Sequence, residues 1–326
     1  MFPLQTLRIG LGSILVLLLL ATTALGENKR ILYVDSYHES YPWSAGITAG
    51  IRSILDAQPK IALEIFTMDS KRQPEEAAII AAARQAKELI DSWHPDLVIT
   101  SDDNAAQYLI VPYLLGSDLP VVFCGINGNA DSYEFPPAQV TGMLEIQLID
   151  QILATLKPFV KGSHIAFLKG DDPSARKEAD FFDQRFNLQL DRRLVKNFTE
   201  WQQEYRRLQQ EADIILLGNH ASLPDWDAAL AKTLIMNETR VPTANWDAWM
   251  APYSLVTFTN LPREQGEWAA KTALKILNGT SPAAIPVTTN HKAGIYLNMD
   301  LAKKLGIKFP MELIDRATFT AEIAAP

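Results

Sequence analysis

Residues Ile31 to Trp43 read ILYVDSYHESYPW, and the order of residue types in this stretch decides the fold. Ile31 to Val34 is a short apolar run of β type. A polar, aromatic turn follows, and Pro42 stands where the first turn of a helix tolerates a missing N–H. Strand, loop and helix in that order open a βαβ unit. In an open parallel sheet the loop after the first strand lies at the carboxyl edge, in the crevice where ligands sit beside helix N-terminal amides. Ser36, Tyr37, His38, Tyr41 and Trp43 are therefore candidate walls of a small-molecule cleft, with plain ring packing as the competing role.

Working outward, short apolar runs alternate with longer amphipathic ones. Strands are expected at Ile31 to Ser36, Ile61 to Met68, Leu97 to Ser101, Pro120 to Gly125 and Val140 to Leu144. Helices are expected at Pro42 to Gln58, Pro74 to Trp93, Asn104 to Leu115 and Gln147 to Pro158. A second set follows, with strands at His164 to Leu168, Arg193 to Phe198, Asp213 to Leu217 and Val241 to Ala244, and helices between them. Such alternation predicts an α/β protein with doubly wound parallel sheets. After Trp246 the pattern changes to a polar, aromatic loop, a strand at Ser254 to Thr259, a helix at Pro262 to Leu277, and a last strand and helix at Gly294 to Leu297 and Met299 to Leu305.

Leftover elements after two complete lobes imply a chain that crosses between them more than once. The expected crossings are Gly142 to Gln147, Trp246 to Tyr253 and Ile285 to His291. The corresponding lobes are 27–143 plus 250–285, and 144–249 plus 286–326, joined by a multi-strand hinge that can close on a ligand.

The N-terminus carries Arg8, an apolar core from Ile9 to about Leu20, and small residues ending in Ala24, Leu25 and Gly26. This is the pattern of a secretory signal peptide over residues 1–26, cleaved before Glu27, and it places the mature protein in the periplasm. A retained anchor is the competing reading, since the apolar run approaches the length of a bilayer span. Of the 326 residues, 30 are Lys or Arg and 38 Asp or Glu, a formal net charge of −8, which disfavours nucleic acid. The single cysteine, Cys124, lies in the apolar run PVVFCGI and has no intrachain partner for a disulfide.

The tail YLNMDLAKKLGIKFPMELIDRA, Tyr296 to Ala317, resembles the closing signature of the tryptophan/tyrosine-type substrate-binding proteins of ABC transporters. There an Asn-containing strand leads into an Ala-Lys-x-Leu-Gly helix, then a Pro and an Arg-Ala. The opening strand and the YHESYPW loop are also similar to extracytoplasmic sensory relatives of that family. The resemblance implies a type I periplasmic-binding-protein fold, a small ligand held between the lobes, and a partner that is either an ABC permease or a separate sensor receptor. It suggests an aromatic or other amino acid as ligand.

A binding cleft needs few groups: donors for an anionic end, a carboxylate for a cationic one, and rings for an apolar body. The loop Ser101, Asp102, Asp103, Asn104 offers both, Ser101 toward a carboxylate and Asp102 toward an ammonium, while Asp103 or Asn104 is also suited to cap the following helix. Gly125 and Asn127 end the fourth strand, where GINGN is equally good turn chemistry. Glu145 falls in the first crossing. In the second lobe Asp171 and Ser174, and Asn219 and His220, occupy strand-to-helix loops, and Asn245, Trp246 and Asp247 stand at the second expected crossing. An indole there can stack on a ligand or pack lobe against lobe.

No His or carboxylate pair has helical metal-ligand spacing such as HExxH, so neither metal nor other cofactor is expected. No GxSxG elbow, Walker A loop or GxGxxG after a strand is present, which leaves a periplasmic hydrolase as a thin alternative. The expected protein is a monomeric, non-enzymatic solute-binding protein of an uptake system, with a ligand-sensing protein as the second possibility.

Overall fold

A computed structural model describes residues 28–136 and 138–320. The expected signal peptide lies outside the described residues.

The first lobe is built on β1 (Lys29–Asp35), β2 (Ile61–Thr67), β3 (Leu97–Ser101), β4 (Val121–Asn127) and β5 (Val140–Glu145). These strands pair in parallel in the order β5-β4-β3-β1-β2. Helices α1 (Pro42–Leu55) and α2 (Glu76–Trp93) cover its two faces. Pro42 occupies the first turn of α1, as its fixed φ and missing N–H favour. The helix expected from Asn104 instead starts as α3 (Asp102–Ala105) and continues as a wide π-type turn over Ala106–Leu114. Pro112 lies inside that wide segment and cannot donate to a regular α ladder.

The second lobe contains α4 (Ile149–Leu156), β6 (Ile165–Gly170), α5 (Pro173–Phe186), β7 (Asp191–Val195), α6 (Phe198–Glu211), β8 (Ile214–Leu217), α7 (Ala228–Glu238) and β9 (Thr243–Asn245). The strand expected to reach Phe198 stops at Val195 because Asn197 caps α6. The Asn197 side chain accepts from Glu200 N, and Glu200 accepts from Lys196 N in return. Phe167, Phe182, Trp201, Tyr205 and Trp246 fill the core of this lobe.

The remaining elements are β10 (Val256–Asn260), α8 (Pro262–Leu277), β11 (Thr288–Thr289), β12 (Ala293–Leu297), α9 (Met299–Leu305), α10 (Met311–Ile314) and β13 (Ala317–Phe319). Here the expected lobe boundaries need correction. Strand β10 joins the second sheet, parallel to β9 and antiparallel to β12, so the 250–285 segment assigned to the first lobe divides at Leu261. Conversely, β11 of the 286–326 segment pairs with β5 and becomes the sixth strand of the first sheet. The second crossing therefore runs through Leu261, not Trp246 to Tyr253, which forms a 3-10 segment over Ala248–Tyr253 inside the second lobe.

Helix α8 returns to the first lobe and lies against α1 at very close range. A Cβ on Gly46 would strike Pro262, one on Gly50 the Arg263 carbonyl, and one on Gly266 the Ile47 carbonyl. Three side-chain-free positions are what lets the two backbones touch.

Candidate functional site

In each lobe the strand order reverses beside the first strand of its sheet, at β1/β3 in one and β6/β8 in the other. The loops leaving those strands at their carboxyl ends open side by side, and this is where an open α/β sheet forms a crevice. Between the lobes lies a cavity of about 200 Å³ lined by Trp43, Glu145 and Gln147 on one side and Trp246, Asp247, Ala248, Thr259 and Asn260 on the other. Of the residues expected from sequence, Trp43, Glu145, Trp246 and Asp247 are brought together here. Gln147, Ala248, Thr259 and Asn260 were not foreseen, the last two because β10 was placed in the wrong lobe.

Behind Trp43 sits Asp102. The indole Nε1 donates to Oδ1 at 2.9 Å, while Oδ2 is buried and has no hydrogen-bond partner among the described residues. Asp102 is 2% exposed and its φ of +67° lies in the left-handed region, a strained conformation that Asp tolerates better than most residues. Gly125 on β4, itself at φ +72°, leaves the room: a Cβ there would come within 3.1 Å of Asp102 Oδ1. Burial first, then the carboxylates of Glu145 and Asp35, push the Asp102 carboxyl well above the usual carboxylate range.

Glu145 ends β5 at the first crossing and accepts from Asn260 Nδ2 at 3.0 Å. Burial raises its pKa to about 7, with the charges of Asp103 and Asp247 adding to the shift and the Asn260 bond opposing it. Asp247 comes from the other lobe, so carboxylates approach one another across the cavity. Asn219 Nδ2 donates to Asp247 Oδ2 at 3.1 Å.

Several expected contact residues serve structure instead. Ser36 is fully buried: its hydroxyl donates to the Ser101 carbonyl and accepts from Ala105 N at 2.8 Å, capping α3 from a neighbouring strand. Neither Asp103 nor Asn104 caps that helix, because Asp103 holds Asn127 Nδ2 (2.7 Å) and Tyr133 Oη (3.0 Å), and Asn104 holds Ser70 Oγ (2.7 Å). The Ser101 hydroxyl is buried between Tyr33 Oη and Asp35. Gly125 N already donates to Gln265 Oε1 at 3.1 Å. Asn245 is buried and ties the Leu217 carbonyl to Asp247 N.

In the opening loop Tyr37 and Tyr41 meet edge to face at 5.2 Å, with Lys71 Nζ 4.5 Å from the Tyr37 ring centre. Both phenols are raised by burial and by Asp102 and Glu145, which places this pair on the first-lobe side of the same carboxylates. His38 turns to Ser40 at 2.9 Å. In the second lobe Asp171 is paired with Arg176, and Ser174 is exposed in the first turn of α5, whose N-cap is Asp172. His220 stacks on Trp226 at 4.4 Å and meets Trp249 edge on at 4.8 Å, and burial lowers its pKa. Trp246 is largely a core residue: it lies parallel to Phe167, meets Phe182 edge on, and donates Nε1 to Glu178 at 3.2 Å, presenting only part of its surface to the cavity.

Two α/β lobes, three interlobe crossings and a polar, indole-lined cavity at the hinge define a bilobal solute-binding protein of the type I periplasmic-binding-protein fold. The profile of the family described as ABC transporter substrate binding protein matches residues 44–321, and the chain belongs to that family. Among solved structures, a ligand-free, open substrate binding protein with adhesive properties from Clostridium difficile is 16% identical, with 90% of this chain and 99% of that chain covered and a TM-score of 0.68. A domain from Streptococcus pneumonia in complex with L-Trp is 19% identical over the same shares, with a TM-score of 0.51. A conserved domain protein from Vibrio cholerae is 16% identical, again over 90% and 99%, with a TM-score of 0.51. No curated protein matches.

Proposed function

We propose that this protein is the extracytoplasmic receptor of an ABC-type uptake system, a binding protein and not an enzyme. It closes its two lobes on a compact ligand with a nitrogen cation and an apolar or aromatic body: an amino acid, aromatic or other, or a related amine. The observation that carries this reading is the cavity walled by Trp43 and Glu145 from one side and by Trp246 and Asp247 from the other. Indole faces attract cations, and carboxylates complement them. At about 200 Å³ the cavity lies below the range of drug-sized pockets, which suits a small guest.

The closed form would be presented as a monomer to a membrane permease. A separate membrane sensor would read the same closed form, and neighbouring permease or sensor genes distinguish the two partners. A thermal-shift panel of amino acids, amines, purines and sugars tests the binding reading. A true ligand at about 100 times its dissociation constant adds roughly 2.7 kcal/mol to stability. A melting point that no compound moves would remove the reading.

A further inference from the structure

If the cleft is the binding site, its charge pattern says which end of a ligand it can hold. Asp102, Glu145 and Asp247 gather at or directly behind its walls. Asp102 supplies an observation independent of that clustering: a buried carboxyl group whose Oδ2 has no hydrogen-bond partner among the described residues. Such a group costs free energy until a donor or a cation meets it.

Several of the groups that could receive a ligand carboxylate are, by contrast, already engaged. The Ser101 hydroxyl is held between Tyr33 and Asp35, and Gly125 N by Gln265. The first-turn amide of Ala175 on α5 is taken by Asp172. Lys169 is neutralised by Glu178 at 2.7 Å, Arg176 by Asp171, and Arg263 and Lys292 both by Glu267. Lys71 stands over the rings of Tyr37 and Tyr41, on the first-lobe side.

We infer that this receptor selects an organic ammonium that carries no carboxylate, held by the Trp43 and Trp246 rings and by the carboxylates of Glu145 and Asp247, with Asp102 adding its charge from behind Trp43, and that it rejects the corresponding zwitterion. The inference rests on the cleft being the binding site and narrows the ligand within that reading. A carboxylate on the guest would meet carboxylates from both lobes. An ammonium would relieve the repulsion that Glu145 and Asp247 exert on each other, so the same charge both recognises the guest and favours closure.

Matched pairs isolate the carboxylate: choline against glycine betaine, and tyramine against L-tyrosine, titrated calorimetrically into the full protein and into Glu145→Gln, Trp43→Phe and Lys71→Met variants. The expected result is at least tenfold tighter binding of the amine in one pair, weakened at least fivefold by Glu145→Gln and left unchanged by Lys71→Met. Equal or tighter binding of the carboxylate-bearing member overturns the inference. If that binding also falls in Trp43→Phe or depends on Lys71, the cleft reading survives. Binding of either member that ignores all three substitutions overturns the cleft reading itself. Absence of heat with all four probes overturns the inference, and the broader thermal-shift panel then decides the cleft reading. A melting temperature within a few degrees of wild type in each variant shows that it is folded.

Discussion

Asn290 meets the backbone of Ile146 twice: its Oδ1 accepts from Ile146 N at 2.7 Å and its Nδ2 donates to the Ile146 carbonyl at 3.0 Å. The same Nδ2 also donates to Asn260 Oδ1 at 2.9 Å, and Asn260 in turn holds Glu145. One buried amide therefore ties all three crossings together. Asn290→Leu has similar volume but strips the partners from Ile146 and Asn260. It should cost about 1–3 kcal/mol. An unchanged urea midpoint would show that the three crossings hold without it.

Glu145 gives the unliganded protein a specific pH signature. Its folded pKa of about 7 stands above the ordinary value of 4.5. Between those values the folded state keeps a proton that the unfolded state has released, so stability is greatest at the acid end of the window and falls as pH rises toward 7. The slope attributable to Glu145 is at most about 1.4 kcal/mol per pH unit. Glu145→Gln should remove that part, while Asp35 and Asp102, shifted in the same direction, continue to contribute. Thermal melts from pH 5 to 8 check this, and an identical pH slope in the variant would refute it.

Ligand affinity should run the other way. A cationic guest prefers ionised Glu145, so choline or tyramine should bind more tightly as pH rises through 7, by up to about tenfold per unit. Calorimetry at pH 6 and 8 in buffers of different ionisation enthalpy also reads the proton released on binding. A flat affinity profile without proton release would separate Glu145 from recognition.

Asp102→Asn keeps the acceptor for the Trp43 indole and a residue type that tolerates the left-handed φ, but removes the buried ionisable group. At pH 8 the variant should gain roughly 1–3 kcal/mol of stability and lose ligand affinity. A melting point below that of wild type would mean that Oδ2 has a stabilising partner.

Trp246 couples the cavity to the core of the second lobe. Trp246→Ala removes rings packed on Phe167 and Phe182 and the partner of Glu178, for a loss of about 3–5 kcal/mol. Trp246→Phe should keep most of the packing and reveal the contribution of the indole to binding. If Trp246→Ala melts like wild type, the stacked cluster does not anchor the core of the second lobe.

Much of the fold was legible because local chemistry and tertiary role agree. The expected bounds Leu97 to Ser101 and Pro262 to Leu277 match the structure to the residue, one a fully buried strand that opens on Leu-Val-Ile and the other opened by Pro and closed by Asn278 and Gly279. Lobe membership was harder to read. Leu261 crosses between lobes in a single residue with no turn chemistry, and β11 is only two residues long. The aromatic 246–253 loop has the composition of a crossing but is packed into one lobe. In the site, residue types identified the wall formed by Trp43, Glu145, Trp246 and Asp247, because strand-end position is a sequence property. They did not show that Ser36, Ser101 and Gly125 spend their hydrogen bonds within the protein, since those partners lie 65, 66 and 140 residues away.

The glycine contact between α1 and α8 joins segments from opposite ends of the described chain, with the whole β6 to β10 block between them. During synthesis the first lobe begins to emerge early, yet its helical cover and sixth strand arrive only with residues 262–289. The block enclosed between them is incomplete too until residues 293–319 supply its last strands. Premature termination at any point before these segments leaves the first sheet without its helical cover and the second without its edge strands, so a shortened product is a target for proteolysis instead of a half-sized receptor.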